Sequence, residues 1–520
     1  MRRIMLVLAG CALLSLSIAP ALAGPYTTGT VEQVSSTSPF DPDCGMTENG
    51  GTVFLNSEVE PWVDVSPVNP DIIAGIWQQD RWSNGGARGN VAGISLDGGT
   101  SWELLTFPGV TECTGGDFDR ASDPWLSFSP NGDLHVMHLV LDIMPPLGRP
   151  GGFGPNGMMA QKIPAAAFAG GVDESEVSDP ILIAFDDRGD LHDKNTMTAD
   201  PFDTDFVYAV WDFLDLPTGA TINPDRGVFG GGLGFKGAAL FSRTTDGGET
   251  WSEPTVLYNP GGVNQTIGNQ IVVDDRGVLF NFFNEILNFR NDDGGSQFDF
   301  NLSLKFSENR GETWLPRGRP IRAQKMLPVG IRIPAGDDNP GAPVRAAAVL
   351  FDVAVDPGNG NLYAVWQDAR FSGFAHDSVA FSMSTDGGFT WSAPIQVNQT
   401  PNVGPVDNRQ AHTPSVHVAA DGTVGVSYYD FRNNAAGNGT DTDHWLVHCH
   451  GGCSMPSSWT DEAHVAGSFD IQLAPFANGF FLGDYVGLDN VGNAFAPFFT
   501  QTVSEPDEDP ANIYYTTVSP

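Results

Sequence analysis

Three arginines recur at one place in a repeated phrase of this 520-residue chain. Trp77-x-x-Asp80-Arg81, Trp366-x-Asp368-x-Arg370 and Tyr428-x-Asp430-x-Arg432 share a register, each at the end of an alternating apolar run. A guanidinium offers a planar fork of donors that fits a carboxylate bidentately. If the phrases are structurally equivalent, the three arginines are expected on one rim, able to hold an anionic ligand. Asp212 and Glu285 take the same place in two further copies, and Asp123, Asp484 and Tyr485 fall at strand starts. These carboxylates and the phenol are candidates for acid–base or nucleophilic work. The plainer alternative is a local Asp–Arg ion pair, repeated because the phrase repeats. His135, His138 and His412 read as packed or rim residues rather than ligands.

The elements that must position these groups are strands. Ile73–Trp82, Val207–Phe213, Leu362–Arg370 and Val424–Arg432 are strong copies of one strand phrase, with weaker copies at Leu134–Leu141, Val278–Glu285 and Ala494–Gln501. Each follows a turn such as Asn131-Gly132 or Asp421-Gly422, and before the turn lies another strand, as in Pro61–Pro67, Pro124–Pro130 and Leu350–Pro357. Gly is frequent (62 residues), aromatics are 11% and charged residues only 17%. No long stretch has a 3.6-residue apolar period. The composition is that of an all-β protein with many turns.

A second repeat sits on the outer hairpins. Ser95–Trp102, Thr244–Trp251, Ser307–Trp314 and Ser384–Trp391 read Ser/Thr-x-Asp-x-Gly-x-Thr/Ser-Trp, with Asn309 in place of Asp in the third and Ser101 in place of Thr in the first. Gly tolerates positive φ, and an Asp carboxylate accepts from backbone amides two residues on, so the phrase makes a tight turn unaided. Asp97, Asp246, Asn309 and Asp386, with Trp102, Trp251, Trp314 and Trp391, are therefore expected to be structural. The pattern resembles the Asp-box, or BNR repeat, of sialidase-like β-propellers, and the likeness extends over residues 53–518. It implies a single propeller of four-stranded blades. Counting the second-strand phrase gives seven, with six, as in catalytic sialidases, the alternative. The last unit lacks a fourth strand, which Val53–Glu58 is expected to supply.

A sialidase of this resemblance needs three arginines on the substrate carboxylate, a Tyr nucleophile paired with a Glu, and an Asp acid/base. Arg332-Ile333-Pro334 matches the family's first arginine motif in type, but it follows the third box instead of preceding the first. No Tyr matches the nucleophile by motif. The resemblance therefore implies a carbohydrate-directed protein, an exo-α-sialidase or another glycosidase, with a non-catalytic propeller that binds glycans or proteins as the alternative. The candidate catalytic set is Arg81, Arg370, Arg432, Glu285, Tyr485 and Asp123.

The ends and the charge set the context. Arg2-Arg3, the apolar run Ile4–Ala19 and Ala21-Leu22-Ala23 read as a signal peptide over 1–23, followed by an N-terminal extension over 24–52. Leu8–Cys11 alternatively reads as a lipobox. The expectation is a secreted protein, not transmembrane, and a monomer. Past the signal lie four cysteines, and the favoured pairs are Cys44–Cys113 and Cys449–Cys453. His448-Cys449-His450-x-x-Cys453 is alternatively a metal site. Formal charge is −38, from 25 bases and 63 acids. Such a surface repels nucleic acid and anionic membranes, and an anionic sugar needs local cations to overcome it. No cofactor is expected, although the acidic loops could hold Ca²⁺. The expected partner is a glycan or glycoconjugate.

Overall fold

The computed structural model describes residues 25–45, 51–143, 153–215, 236–290, 296–334, 341–435, 440–503 and 510–520. The signal-peptide and lipobox readings lie outside these residues. The protein is all-β and built of antiparallel sheets. Chain order runs Glu58–Val65, Ile73–Arg81, Ala87–Ser95 and Glu103–Thr106 for the first group of four strands. The second is Arg120–Phe128, Leu134–Leu141, Asn156–Ile163 and Ile181–Asp186, joined to the first through a single pairing of Ala87 with Ala121. Four separate four-stranded sheets follow, beginning at Leu191–Ala199, Gln265–Val273, Phe351–Val355 and Ala411–Val418. The last group is Gly487–Val491, Ala494–Thr502 and Ala511–Tyr515.

The seven first strands adjoin one another in a closed ring, with Gly487–Val491 against Glu58–Val65. Apolar packing follows the same ring. Each large cluster joins two neighbouring sheets. Trp125, Met137 and Met158 of the second meet Met197, Val207 and Trp211 of the third, and Ala496, Phe498 and Ile513 of the last meet Val63, Trp77 and Val91 of the first. No sheet buries both faces alone, so stability comes from every neighbour contact. Trp77, Trp211 and Trp366 of the repeated strand phrase are fully buried between sheets.

Closure differs from the sequence expectation. Glu32–Gln33, not Val53–Glu58, pairs beside Tyr514 and Tyr515 as the fourth strand of the last sheet, and Thr27–Thr28 pairs with Val518–Ser519. Val53–Glu58 is occupied elsewhere: Val53 bridges Trp82, Ser57 makes one parallel bridge to Ala511, and Glu58 already opens the first strand. Val34 and Tyr26 are buried, which anchors the earlier segment. Thr27–Thr28 and Glu32–Gln33, read as part of an extension, therefore belong to the last sheet.

The four boxes join the third and fourth strands of the first, third, fourth and fifth groups. Asp246 Oδ1 accepts from Thr250 N at 2.9 Å and Thr244 Oγ1 at 2.7 Å, and Oδ2 accepts from Thr250 Oγ1 at 2.6 Å. Asp97 and Asp386 repeat this pattern. Asn309 keeps it by accepting from Thr313 N at 2.9 Å and donating to Thr313 Oγ1 at 3.0 Å. Cys44–Cys113 and Cys449–Cys453 are disulfides, which leaves no thiol at either place for a metal.

Candidate functional site

The first strands carry a repeated irregularity. Register slips by one residue, two facing one on the partner strand, at Glu60-Pro61, Asp123-Pro124, Lys194-Asn195, Gly268-Asn269 and Thr413-Pro414. Pro lacks an amide to pair, so it sits easily in such a bulge. The first residue of each slip has positive φ: Glu60 56°, Asp123 41°, Lys194 49°, Gly268 72° and Thr413 48°. Left-handed geometry is unfavourable for a side-chain-bearing residue, and its recurrence in charged residues marks a site that holds them there.

Three of these residues converge with side chains from other elements. Lys194 Nζ lies 2.7 Å from Asp123 Oδ1, 2.7 Å from Asp484 Oδ2 and 3.4 Å from Glu60 Oε1. Arg345 grips Asp484 in a fork, Nε to Oδ1 at 3.1 Å and a terminal nitrogen to Oδ2 at 2.5 Å. Glu60 accepts from Gln78, whose Oε1 receives the Arg81 guanidinium at 2.5 Å. The guanidiniums of Arg81 and Arg345 both lie over Phe481, at 5.0 and 4.3 Å from its centroid. Arg345 and Phe481 come from the small sheet Ile331–Arg332, Pro343–Arg345 and Phe480–Phe481. Beneath the charges is an aromatic layer. Trp62 and Trp125 stack at 3.5 Å, and Tyr485 meets Trp125 edge-on while donating to Pro124 O at 3.0 Å. Beyond it runs a central channel of about 400 Å³ lined by all seven first strands.

Burial pushes the carboxyls apart. Desolvation raises Glu60 from 4.5 to about 8 against the pull of Lys194, and raises Asp193 to about 7. Asp484 is desolvated too, but Arg345 and Lys194 together hold it far below the usual carboxylate range. Its carboxylate neighbours raise Lys194 well above 10.5 despite burial. Desolvation and the nearby Arg345 lower Arg81 to about 10. Burial pushes Tyr485 well above 10, and its hydroxyl donates to Pro124 O. Glu60, Asp123, Asp193 and Asp484 thus share one buried cluster with three cations, Arg81, Lys194 and Arg345.

The structure therefore brings together Arg81, Asp123, Asp484 and Tyr485 and leaves the rest outside. Arg370 pairs with its own Asp368, Nε and a terminal nitrogen each at 2.8 Å. Arg432 pairs with Asp430 at 2.6 Å and Glu462 at 2.5 Å, and covers Trp445 at 3.8 Å. The expected convergence of three arginines is thus corrected to one. The local ion pair wins because Asp two residues before Arg lies within reach on the same strand end. Asp80 precedes Arg81 directly and is taken instead by Ser38, Asn56 and Arg88, which frees Arg81. Glu285 accepts from Tyr258 OH at 2.6 Å and Arg322 Nε at 2.6 Å, between the third and fourth sheets. A second Tyr–Glu pair, Tyr428–Glu462, lies beside Arg432. Both phenols are raised, mainly by burial. Asp212 ties the next sheet, accepting from Thr266 Oγ1 at 2.6 Å and Gly268 N at 2.8 Å. Arg332 donates to Gly341 O at 3.1 Å within the small sheet. Burial lowers His135 to about 4 and His138 and His412 to about 3, so all three are neutral packed residues.

Sequence reading missed Glu60, Asp193, Lys194 and Arg345. A signal existed for the first, since Glu60-Pro61-Trp62 repeats Asp123-Pro124-Trp125. Among the described residues no group of His, Cys, Asp and Glu is arranged to hold a metal, and no helix is long and apolar enough to cross a membrane.

No protein-family model and no curated protein matches the chain. Among solved structures it is similar to a protein of unknown function from Dyadobacter fermentans, at 14% identity over 94% of this chain and 99% of that one, TM-score 0.44. It is also similar to the Hadza microbial sialidase Hz136, at 13% identity over 86% and 73%, TM-score 0.43. A third is the Penicillium chrysogenum α-L-arabinanase complexed with arabinobiose, at 9% identity over 94% and 98%, TM-score 0.43.

Proposed function

We propose that the protein is a carbohydrate-directed β-propeller of seven four-stranded blades, and that the axial cluster is a glycoside-hydrolase centre. The ring of seven first strands and the seven inter-sheet apolar clusters support the blade count. The observation that carries the activity is a pair of carboxyls held in opposite states at one point. Glycoside cleavage needs a protonated acid to donate to the leaving oxygen and an ionised carboxylate to stabilise positive charge at the anomeric carbon. Glu60, pushed up to about 8, is the acid. Asp484 is the ionised partner, its amide 3.4 Å from Glu60 Oε1. Asp123 and Asp484 lie within about 5.4 Å of each other across the shared Lys194 ammonium.

An exo-α-sialidase is disfavoured. Its arginine set does not converge, both hydrogen-bonded Tyr–Glu pairs lie outside the cluster, and Tyr485 within it donates to Pro124 O rather than to Glu60. A non-catalytic glycan-binding propeller is the second reading, favoured by one fact: Lys194 and Arg345 are already satisfied by internal carboxylates. Two disulfides are compatible with an exported protein. The test is a panel of chromogenic glycosides with a glycan array, on the wild type and on Glu60→Gln. Hydrolysis of a neutral glycoside lost in Glu60→Gln supports the enzyme. Array binding without hydrolysis supports the second reading. Release of sialic acid with Glu60→Gln fully active would overturn both.

A further inference from the structure

A second region is built differently. The outer strands of the third and fourth sheets, Thr255–Tyr258 and Ile321–Met326, wall an open groove of about 1300 Å³. Five of the chain's 25 bases line it: Arg243, Lys305, Arg317, Arg319 and Arg322. Twenty-three residues form the whole lining, in a chain of 520 where acids outnumber bases 63 to 25. Chance composition would place about one base there. Glu253, Glu285 and Glu312 line it too, which leaves two bases in excess, a local positive balance on an otherwise acidic surface that favours an anion there.

The cations are held at graded readiness. Glu285 fixes Arg322 at 2.6 Å and Tyr258 OH at 2.6 Å. Lys305 donates to Pro316 O at 2.5 Å and Gly318 O at 3.2 Å, which fastens the loop carrying Arg317 and Arg319. Arg317 and Arg319 themselves are exposed and make no ion pair or hydrogen bond with the described residues. Two aromatics complete the groove. Tyr258, stacked on Phe283 at 5.4 Å, carries the Lys305 ammonium at 5.4 Å, and Trp314 meets Phe241 edge-on at 5.3 Å. Paired guanidiniums beside rigid aromatic faces suit a polymer that carries both anionic groups and apolar sugar faces. At about 1300 Å³ the groove exceeds the usual volume of a small-molecule site, which fits a chain rather than a single residue.

We propose that this groove binds an anionic polysaccharide, carboxylated or sulfated, without cleaving it. Arg317 and Arg319 make the anion contacts, and Tyr258 supports the sugar ring. Binding alone reads the site, so its failure is separate from failure of the axial hydrolytic reading. The experiment measures affinity of the full chain at low salt for polygalacturonate, dextran sulfate, neutral dextran and a single-stranded oligodeoxynucleotide. The expected result is salt-sensitive binding of at least one acidic polysaccharide and none of neutral dextran. The double variant Arg317→Met/Arg319→Met should weaken that binding by about tenfold or more while its melting temperature stays unchanged. Preference between polygalacturonate and dextran sulfate distinguishes carboxylate from sulfate. No binding of either, equal binding by the variant, or equally tight binding of the oligonucleotide overturns the proposal.

Discussion

The axial cluster and the groove between the third and fourth sheets both concentrate cations in an acidic protein, and they use them in opposite ways. In the axis, Lys194 and Arg345 are buried against carboxylates of the chain itself. Their charge is spent on holding Asp484 ionised and Asp123 in a strained backbone position. In the groove, Arg317 and Arg319 are exposed and make no ion pair with the described residues. A buried cation tunes its neighbours, because low dielectric strengthens every interaction with them. An exposed one is available to a ligand, because water is all it must give up.

The sharpest test of that contrast is Lys194→Met. It leaves Glu60, Asp123 and Asp484 buried together without their shared ammonium. The expected loss is about 3 to 5 kcal/mol of unfolding free energy by urea titration, whereas either groove arginine replaced by Met should cost less than about 0.5 kcal/mol. A Lys194→Met protein as stable as the wild type would remove the distinction.

Next in size is the pH dependence. Folded Glu60 holds its proton up to about 8, against 4.5 ordinarily. Its folded state therefore binds the proton more tightly than the unfolded chain does. The stabilisation this gives is complete below about 4.5 and is lost as pH rises through about 8. Asp212, raised to about 8, and Asp193, raised to about 7, act in the same direction. Urea unfolding at pH 7, above the range where the buried neutral histidines oppose the effect, should show greater stability than at pH 8.5, and glycosidase activity should fall as pH climbs through about 8. Activity that rises across that limb would exclude Glu60 as the acid.

A smaller effect belongs to the boxes; the third lines the groove through Gly311–Trp314, so the test falls on the second, whose Asp246 is not part of the lining. Asp246→Ala removes three turn hydrogen bonds and should cost about 1 to 2 kcal/mol, with groove and axial binding unchanged once the protein is folded. Abolished binding at an unaltered melting temperature would mean that the box serves a ligand. Least of all is Asn309→Asp. Both side chains accept from Thr313 N, so thermal unfolding should move by no more than about 0.5 kcal/mol equivalent.

Local chemistry was readable residue by residue. The box phrase specifies its own turn, since every donor and acceptor lies within six residues, and all four turns form as their composition implies. The second-strand phrase placed Trp77, Trp211 and Trp366 on strands, because alternation is a property of the strand itself, and the structure buries all three. Four cysteines in an exported-type chain pointed to the two bridges that exist. The arginines show where such reading ends. A shared register at Arg81, Arg370 and Arg432 was visible, but the partner of each was not. One residue of spacing between Asp and Arg decides whether the pair closes on itself, and Asp80 is drawn off by Ser38 and Asn56 from a distant segment.

The sequence by itself determined the all-β class, the strand units and the hairpin turns, because each depends on residues close in the chain or on periodicity within one strand. Only the tertiary structure decided which segment closes the last sheet and which charges meet. Glu60, Lys194, Arg345 and Asp484 are spread over more than 420 residues, and no local pattern links them. Their protonation states follow from how deeply the ring buries them and which cation stands beside each carboxyl, and those are properties of the assembled protein alone.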